Sequence, residues 1–169
     1  MSVGLADIHR AFQSAWTADG LDDAFKALWN DDDGTDDEFL VLHDQQAPPG
    51  QKFPFCVMDQ ASVTVSDRMS GMVGAEVREI RDVSLTLRIH ARTIAGDSRT
   101  AKEIATYLAE EVIKRFGGHP ETSPTSPMSL DNGEALAVQL VNEYGVETGA
   151  DEYSWTLVYN VRTDVPVMV

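Results

Sequence analysis

The stretch VSLTLRIHARTIAGDSRTAKEIATYLAEEVIKRFGG, from Val83 to Gly118, contains the patterns of a long strand and a long helix in succession. Its first part alternates apolar and polar side chains, which is typical of a strand with one buried face and one polar face. The apolar positions are Val83, Leu85, Leu87, Ile89 and Ala91. The polar positions are Ser84, Thr86, Arg88, His90 and Arg92.

The second part of this stretch has the period of an amphipathic helix. Its apolar positions are Ala101, Ile104, Ala105, Leu108, Val112 and Phe116. Asp97 or Ser98 can serve as the N-cap, and Thr100 with Glu103 has the spacing of a capping box. Because Gly117 and the next glycine end the pattern, we predict one long helix at about residues 98–116.

The flanking sequence adds further strands and helices to this unit. Helical spacing predicts an N-terminal helix at 5–18 and a second helical segment at 21–29. Extended segments are predicted at 39–43, 54–67, 134–148 and 152–165, with a hairpin-like turn at 149–152. We therefore predict an α+β fold, in which a mixed, mostly antiparallel sheet packs with the N-terminal helix and the long helix.

The length of 169 residues suits one domain with a sizeable core. We predict a single α+β domain over residues 1–169. Its connections are predicted to be an acidic loop at 30–38 and flexible loops at 44–52, 68–76 and 117–127. The loop after Arg68 is expected to enter the next strand near Val77.

The formal net charge of −15 argues against a nucleic-acid-binding surface, which needs a basic patch. The charge is uneven, because the first forty residues carry ten acids against Arg10 and Lys26, whereas residues 68–115 carry nine bases and seven acids. If copies of the chain assemble, the near-neutral part can meet an acidic part of a neighbour.

Compartment signals are sparse. No apolar run approaches the roughly 20 residues that span a bilayer. The N-terminal segment carries acid and no apolar signal-peptide core, so the chain is expected to start in the cytoplasm. The single Cys56 excludes an intramolecular disulfide, and we interpret it as a small buried hydrophobic residue.

Motifs for catalysis, cofactors and metals are weak, and we predict none of these sites and no enzymatic activity. Phosphate-loop, dinucleotide, nucleophile-elbow and zinc-helix patterns do not occur in the sequence. His43-Asp44 matches a fragment of metal hydrolases, but a second cluster of such ligands is lacking. His90 lies between two arginines that would lower its pKa, yet it has no nucleophile or carboxylate nearby in sequence. Asp31–Glu38 departs from the EF-hand pattern, which leaves a solvated acidic loop or loose cation binding.

Two groups of residues are predicted to contact a partner. Apolar side chains on a glycine-bearing connector often mark a partner surface, although they can also fold back over the core. The polar face of the strand is the second group, as a solvated or interface surface. Together the predicted interface residues are Arg68, Met69, Met72, Val73, Arg88, His90 and Arg92.

The block from Ala75 to Gly118 resembles the tail terminator (tail completion) proteins of long-tailed bacteriophages and prophages, and the minor tail proteins grouped with them. In this block a loop leads to a strand ending in RIHAR, then to a polar turn with Thr100-Ala101, then to a helix of the AKEIA..LAEEV kind. The flanks match in kind, while the acidic stretch Asp31–Glu38 and the PETSPTSP insert depart from the pattern.

This resemblance implies a structural virion protein. Such proteins form a ring, commonly a hexamer, that caps the head-proximal end of the tail tube and provides the head-joining surface. The implied partners are further copies of the chain, the tail tube protein, and head–tail connector or neck proteins. DNA only passes through the channel, and no cofactor or membrane is implied. The implied location is the virion tail, assembled in the host cytoplasm.

Three alternatives remain open from the sequence. One is a head–tail connector or head-closure protein, and another is an α+β domain with an unrelated role. The third is a small hydrolase or ligand-binding enzyme that uses His43, Asp44 and His90. The enzyme hypothesis predicts that these three side chains converge on one pocket, whereas the terminator hypothesis predicts that they lie apart.

Overall fold

The computed structural model describes residues 8, 10–14, 41–44, 46–51, 53–69, 77–96, 98–116 and 134–167. Within them the strands are β1 (Val41–Asp44), β2 (Phe55–Met69), β3 (Val77–Arg92), β4 (Glu134–Gly149) and β5 (Glu152–Val167). Residues 10–14 are helical and are called α1, and the long helix Ala101–Phe116 is called α2. The predicted α+β class is confirmed.

The strands form one mixed sheet in the order β1-β2-β3-β5-β4. β1 pairs with β2 in parallel, and every other described pair is antiparallel, as the sequence predicted. β4 and β5 make a hairpin whose turn lies at residues 150–151. The Thr93 N–H donates to the Asp151 carbonyl at 3.0 Å, which ties this turn to the end of β3. Because β4 comes last in the strand order, it lies at one lateral edge of the sheet among the described strands.

Both helices pack on one face of the sheet, which we call the core face. The five apolar positions of β3 are all buried, and three of their register partners on β5 are buried too: Leu157, Tyr159 and Val161. Each large apolar side chain buried in this way favours folding by about 1.5–3 kcal/mol. The alternation in β3 thus positions its polar face on the opposite side of the sheet.

α1 is joined to this core by aromatic packing. The Phe12 ring stacks on the Phe116 ring of α2, with centroids 4.8 Å apart. The same ring meets Tyr159 of β5 at 6.4 Å, so that Phe12 contacts both layers. The predicted N-terminal helix is confirmed over its described residues.

α2 begins at Ala101, a little later than predicted, because Thr100 is its N-cap. The Glu103 N–H donates to Thr100 Oγ1 at 3.2 Å, and the Thr100 N–H donates to Glu103 Oε2 at 2.7 Å. These reciprocal bonds are a capping box and satisfy amides that the first turn leaves unpaired. Ser98 therefore lies outside the helix, and Asp97 lies outside the described residues.

The β2–β3 pair is longer than the sequence indicated. Arg68 and Met69, predicted to lie in a loop, are the last residues of β2 and pair with Glu79 and Arg78. β3 begins at Val77, where the sequence placed the entry into the strand, and not at Val83. Register shifts between Gln60 and Ser62, and between Val65 and Asp67, re-phase the side chains, so simple alternation is lost there.

Several predicted segments lie outside the described residues. They are the second helical segment at 21–29, the acidic loop at 30–38, and the loops over 70–76 and 117–127. The predicted loop at 44–52 overlaps β1 at Asp44 and contains a turn at Pro49-Gly50. Gly50 has a φ of 82°, a conformation that side chains with a Cβ rarely adopt.

Candidate partner-binding face of the sheet

The sheet face opposite α1 and α2, which we call the outer face, carries part of the predicted interface. Because paired residues point to the same side of a sheet, the register arranges its side chains in rows across the strands. One row is Val146, Ser154, His90 and Phe55, taken from β4 to β2. The next row is Tyr144, Thr156, Arg88 and Val57.

Four rings form an aromatic cluster at the β1–β2–β3 side of the outer face: His43, Phe53, Phe55 and His90. The Phe55 ring is central, and the His90 ring stacks on it at 4.8 Å with 19° between the planes. The Phe53 ring lies 5.1 Å away and the His43 ring 6.2 Å away. This cluster could not be predicted from a local sequence pattern, because its members come from three separate strands and a loop.

Arg92 closes one end of the aromatic cluster. Its guanidinium carbon lies 5.2 Å from the centre of the Phe53 ring, within the range of a cation–π contact. The same guanidinium donates to Glu152 Oε1 at 2.7 Å. The Arg92 side chain nevertheless stays largely exposed, so this ion pair contributes little to folding. The Arg92–Glu152 pair therefore places charged groups directly beside the Phe53 ring.

His90 is held in its neutral form more strongly than an exposed histidine. Burial is the main cause that lowers its pKa, and the positive charge of Arg88 acts in the same direction. Glu152 opposes both with a smaller effect. A neutral imidazole can lie flat against Phe55 without a charge to desolvate, so the ring acts here as packing surface.

Two residues with hydroxyl side chains, Ser154 and Thr156, are buried in the middle of the outer face on β5. Ser154 is 4% exposed and Thr156 is 2% exposed, although neither belongs to the hydrophobic core. Within the part of the chain that the structure describes, neither side chain makes a hydrogen bond. Buried polar groups without a partner are rare in folded proteins, which makes this pair a candidate contact point.

The edge strand β4 presents large apolar side chains at the surface, and none of them is among the predicted interface residues. Val141, Tyr144 and Val146 are each about half exposed. Three register shifts interrupt the pairing of β4 with β5 and leave the run from Asn142 to Glu147 regular. In the sequence Tyr144 and Val146 lie on either side of Gly145, between Glu143 and Glu147. Only the strand order shows that they lie at an edge.

The structure divides the predicted interface residues between two places. Arg88, His90 and Arg92 lie together on the outer face at one end of the β2–β3 ladder. Arg68 and Met69 lie at the opposite end of that ladder, and Met72 and Val73 are outside the described residues. The described members therefore form no single cluster.

The residues of the enzyme hypothesis are only partly brought together. His43 and His90 both contact Phe55, so the expectation that they lie apart was wrong for this pair. His43 Nε2 lies 2.7 Å from Gln51 Oε1, and Asp44 is the register partner of the core residue Met58. Within the described ranges, no three potential metal ligands lie close together.

Cys56 is a core residue, as predicted. Its side chain is fully buried, and this burial raises the pKa of the thiol far above the ordinary range. A nucleophilic cysteine needs a stabilised thiolate and access to substrate. Cys56 has neither, so it does not support a reaction on this sheet.

Comparison with known proteins finds similarity only at the level of solved structures. No protein-family model matches the chain, and no curated protein is significantly similar to it. Among solved structures, a chain described as part of the virion of a native gene transfer agent particle is 17% identical. The alignment covers 95% of this chain and 99% of that chain, with a TM-score of 0.46. Among the described helices, none is both long and apolar enough to cross a membrane.

Proposed function

We propose that this chain is a structural protein of a phage-like virion, and that within the virion it is a tail terminator. Its copies form a ring, with six as the expected number, that caps the head-proximal end of the tail tube and offers a joining surface to the head. The observation that carries the proposal is a sheet that presents two different lateral edges, β4 and the distal part of β2. The likeness to the gene transfer agent chain is too weak to carry it.

The two edges are suited to a head-to-tail contact. β1 pairs only with Phe55–Met58, so among the described strands the rest of β2 has no neighbour on that side. In the described part of the sheet, β4 forms the other edge along all of its length. Contacts between two different surfaces of identical subunits generate a ring when the rotation closes.

The strand directions agree with such a ring. β2 and β5 run the same way, because each is antiparallel to β3, and β4 runs opposite to them. A rotation about an axis along the strands leaves these directions unchanged. The β4 edge of one copy therefore meets the β2 edge of the next in an antiparallel arrangement, which strands join readily.

The remaining partners follow from the resemblance of the Ala75–Gly118 block to tail terminators. They are the tail tube protein on one side of the ring and head–tail connector or neck proteins on the other. The net charge of −15 suits a ring through which DNA passes, since a negative surface does not retain a polyanion. The role is structural, without catalysis or a cofactor, and its place is the head-proximal end of the virion tail.

The test is the mass of the purified full chain in solution, alone and with tail tube protein, followed by negative-stain imaging. Light scattering on a sizing column at two salt concentrations gives the number of subunits. Closed rings, alone or on the ends of tubes, are expected. A monomer that ignores tube protein would sink the proposal, and binding to a connector instead would favour a head-closure protein.

Edge variants sharpen this test. Val65→Lys and Val141→Lys each add a charge to an exposed position, one on the β2 edge and one on the β4 edge. Lysine on an edge strand discourages pairing with another strand. Both variants are expected to lose the ring. The matched control is Tyr107→Lys on the exposed side of α2, which should assemble like the unmodified chain.

A further inference from the structure

Two buried hydroxyl groups of β5 lie side by side without a role in the hydrogen bonding of the described fold. Ser154 and Thr156 are neighbours on the outer face, two residues apart on one strand. Both are more than nine-tenths buried, and within the described part of the chain neither hydroxyl has a hydrogen-bonding partner. Such groups are costly unless something supplies the missing bond.

An unpaired cation lies next to these hydroxyls. Arg88 is exposed and is the register partner of Thr156. Two other arginines of β3 are held by acids, Arg81 by Glu79 at 2.8 Å and Arg92 by Glu152 at 2.7 Å. Arg88 has no such ion pair within the described residues, so its charge is available to an incoming group.

The β4 side of the hydroxyls is apolar and open. Val146 pairs with Ser154, and Tyr144 pairs with Thr156, in the two rows described above. Val146 is 48% exposed and Tyr144 is 46% exposed. We call the five residues Arg88, Tyr144, Val146, Ser154 and Thr156 the hydroxyl strip.

The chemistry of the hydroxyl strip selects a carboxylate. A hydroxyl can donate one hydrogen bond, and a guanidinium offers several donors to the two oxygens of a carboxylate. Hydrogen bonds of this charge-assisted kind are stronger than those between neutral groups. The exposed apolar side chains beside them give the main chain of an extended peptide a surface to lie on.

We propose that the hydroxyl strip binds the acidic segment Asp31–Glu38 of a second copy of the chain. The inference rests on the proposed self-assembly and names one contact within it. Charge complementarity supports this occupant, because the segment DDDGTDDE carries six carboxylates, and the chain as a whole is acidic at −15. Arg88 supplies the positive charge that lies beside the two hydroxyls, and within the described residues no acid pairs with it.

The spacing of the groups also agrees with this occupant. Residues two apart in an extended chain are separated by about 6.6 Å. Ser154 and Thr156 have this separation on β5. Asp31 with Asp33, or Asp36 with Glu38, would present carboxylates at the same interval if the segment bound in an extended form.

The first experiment measures binding of a fluorescent peptide, residues 30–39, to the full chain by anisotropy. The matched peptide carries Asn and Gln in place of each Asp and Glu. The acidic peptide should bind more tightly, by about tenfold or more, since one lost charge-assisted bond is worth that factor. Equal binding of the two peptides would overturn the inference.

Variants of the full chain locate the binding site. Arg88→Gln removes the cation, and Thr156→Val removes a hydroxyl while keeping the side-chain shape. Each should weaken binding of the acidic peptide by about tenfold. Arg162→Gln is the control, because Arg162 is another exposed arginine on the outer face, in the row with Asp82. A loss of binding in that control equal to the loss in Arg88→Gln would show general charge attraction and refute the site.

A mixing experiment tests whether the contact joins two copies. One variant carries Arg88→Gln and an intact acidic segment, and the other carries an intact strip and Asn or Gln throughout 31–38. Both variants also carry Val65→Lys, which removes the edge contact of the proposed ring. Each variant alone should then remain a monomer, and the mixture should form a one-to-one pair by light scattering. If the mixture forms no pair although the acidic peptide binds in the anisotropy experiment, the acidic segment contacts the hydroxyl strip of its own chain. That result would overturn the proposal.

The outcomes separate this inference from the proposed function. If the acidic peptide binds in a way that depends on Arg88 but no rings form on tube ends, the hydroxyl strip is supported as a binding site and the tail-terminator role is contradicted. If the Arg88→Gln variant forms rings as well as the unmodified chain and the acidic peptide does not bind, the tail-terminator role is supported and binding at the hydroxyl strip is contradicted.

Discussion

At the scale of single residues, Gly145 is a position where the sheet has no room for a side chain. Its neighbours on β5, Tyr153 and Trp155, cover the space where a side chain would stand. A Cβ built on Gly145 would lie 2.6 Å from Tyr153 Cε1 and 2.7 Å from Trp155 Cε3, well inside van der Waals contact. The two rings lie 6.3 Å apart and depend on this gap for their packing against β4.

We therefore expect Gly145→Ala to destabilise the chain by about 1–3 kcal/mol, as overpacking does. Urea unfolding followed by tryptophan fluorescence measures this change. Gly149→Ala is the matched control on the same strand, because its nearest atom would be 3.6 Å away, an ordinary contact. Equal stability of the two variants would show that the rings can move aside.

His90 gives the outer face a dependence on pH. The pKa of His90 is lowered in the folded chain from its ordinary value of 6.5, mainly by burial and then by Arg88. As pH falls below 6.5, the unfolded chain therefore takes up a proton that the folded chain resists. Stability contributed by His90 is complete above 6.5 and declines through the window below it.

The measurement is the free energy of unfolding at several pH values for the unmodified chain and for His90→Gln. All other titrating groups are shared, so the difference between the two curves isolates His90. We expect the unmodified chain to lose more stability than the variant as the solution is acidified from neutral pH. Parallel curves would show that the folded and unfolded chains bind this proton equally.

At the scale of elements, one substitution tests how much the packing of the short helix α1 adds to the core. Phe12 is fully buried and contacts Phe116 of α2 and Tyr159 of β5. Phe12→Ala is expected to cost about 3–5 kcal/mol, the usual range for a buried phenylalanine. Chemical denaturation provides the value, and Tyr107→Ala on the exposed side of α2 should be nearly neutral. A small effect of Phe12→Ala would mean that α1 adds little to the core.

The elements that were predicted best are those whose signal is local. The alternation from Val83 to Ala91 and the helical stripe of α2 each describe one element packed on one face, and both are confirmed. The N-cap required one more observation, because Ser98 and Thr100 both have suitable side chains. Only the hydrogen bonds to Glu103 decide for Thr100.

The parts that were missed depend on partners distant in sequence. The first residues of β3 follow no alternation, since Glu79 and Arg81 replace apolar side chains and the bulges of β2 shift the register. For the candidate site, the sequence correctly grouped Arg88, His90 and Arg92 on one strand face. It could not show the burial of Ser154 and Thr156, because that depends on β5 lying between β3 and β4, and the pairing of β5 with β3 has no local signal.

At the scale of the whole molecule, the net charge of −15 should make the fold itself sensitive to salt. Like charges repel in the compact state, and added salt shortens the screening length from about 30 Å at 0.01 M to about 8 Å at 0.15 M. We expect this change to stabilise the dilute chain by about 1 kcal/mol, or about 2–4 °C in melting temperature. Thermal unfolding at several salt concentrations tests the sign.

A variant with Asp31→Asn, Asp32→Asn and Asp33→Asn provides the comparison, because it carries less negative charge. Its melting temperature should rise less with salt than that of the unmodified chain. A lower melting temperature of the unmodified chain in salt would show that its attractive charge pairs outweigh the repulsion. Contact between copies through the hydroxyl strip should respond in the opposite way and weaken with salt, since it joins opposite charges.

The burial of Cys56 has a practical consequence for counting subunits. Because the thiol is enclosed and its pKa is raised, it should not react with maleimide dyes while the chain is folded. A cysteine placed at the exposed hairpin turn by Ala150→Cys would then be the sole labelling point, with the native thiol left in place. Single assemblies bearing one fluorophore per chain could be photobleached step by step, and the number of steps would report how many copies each one holds.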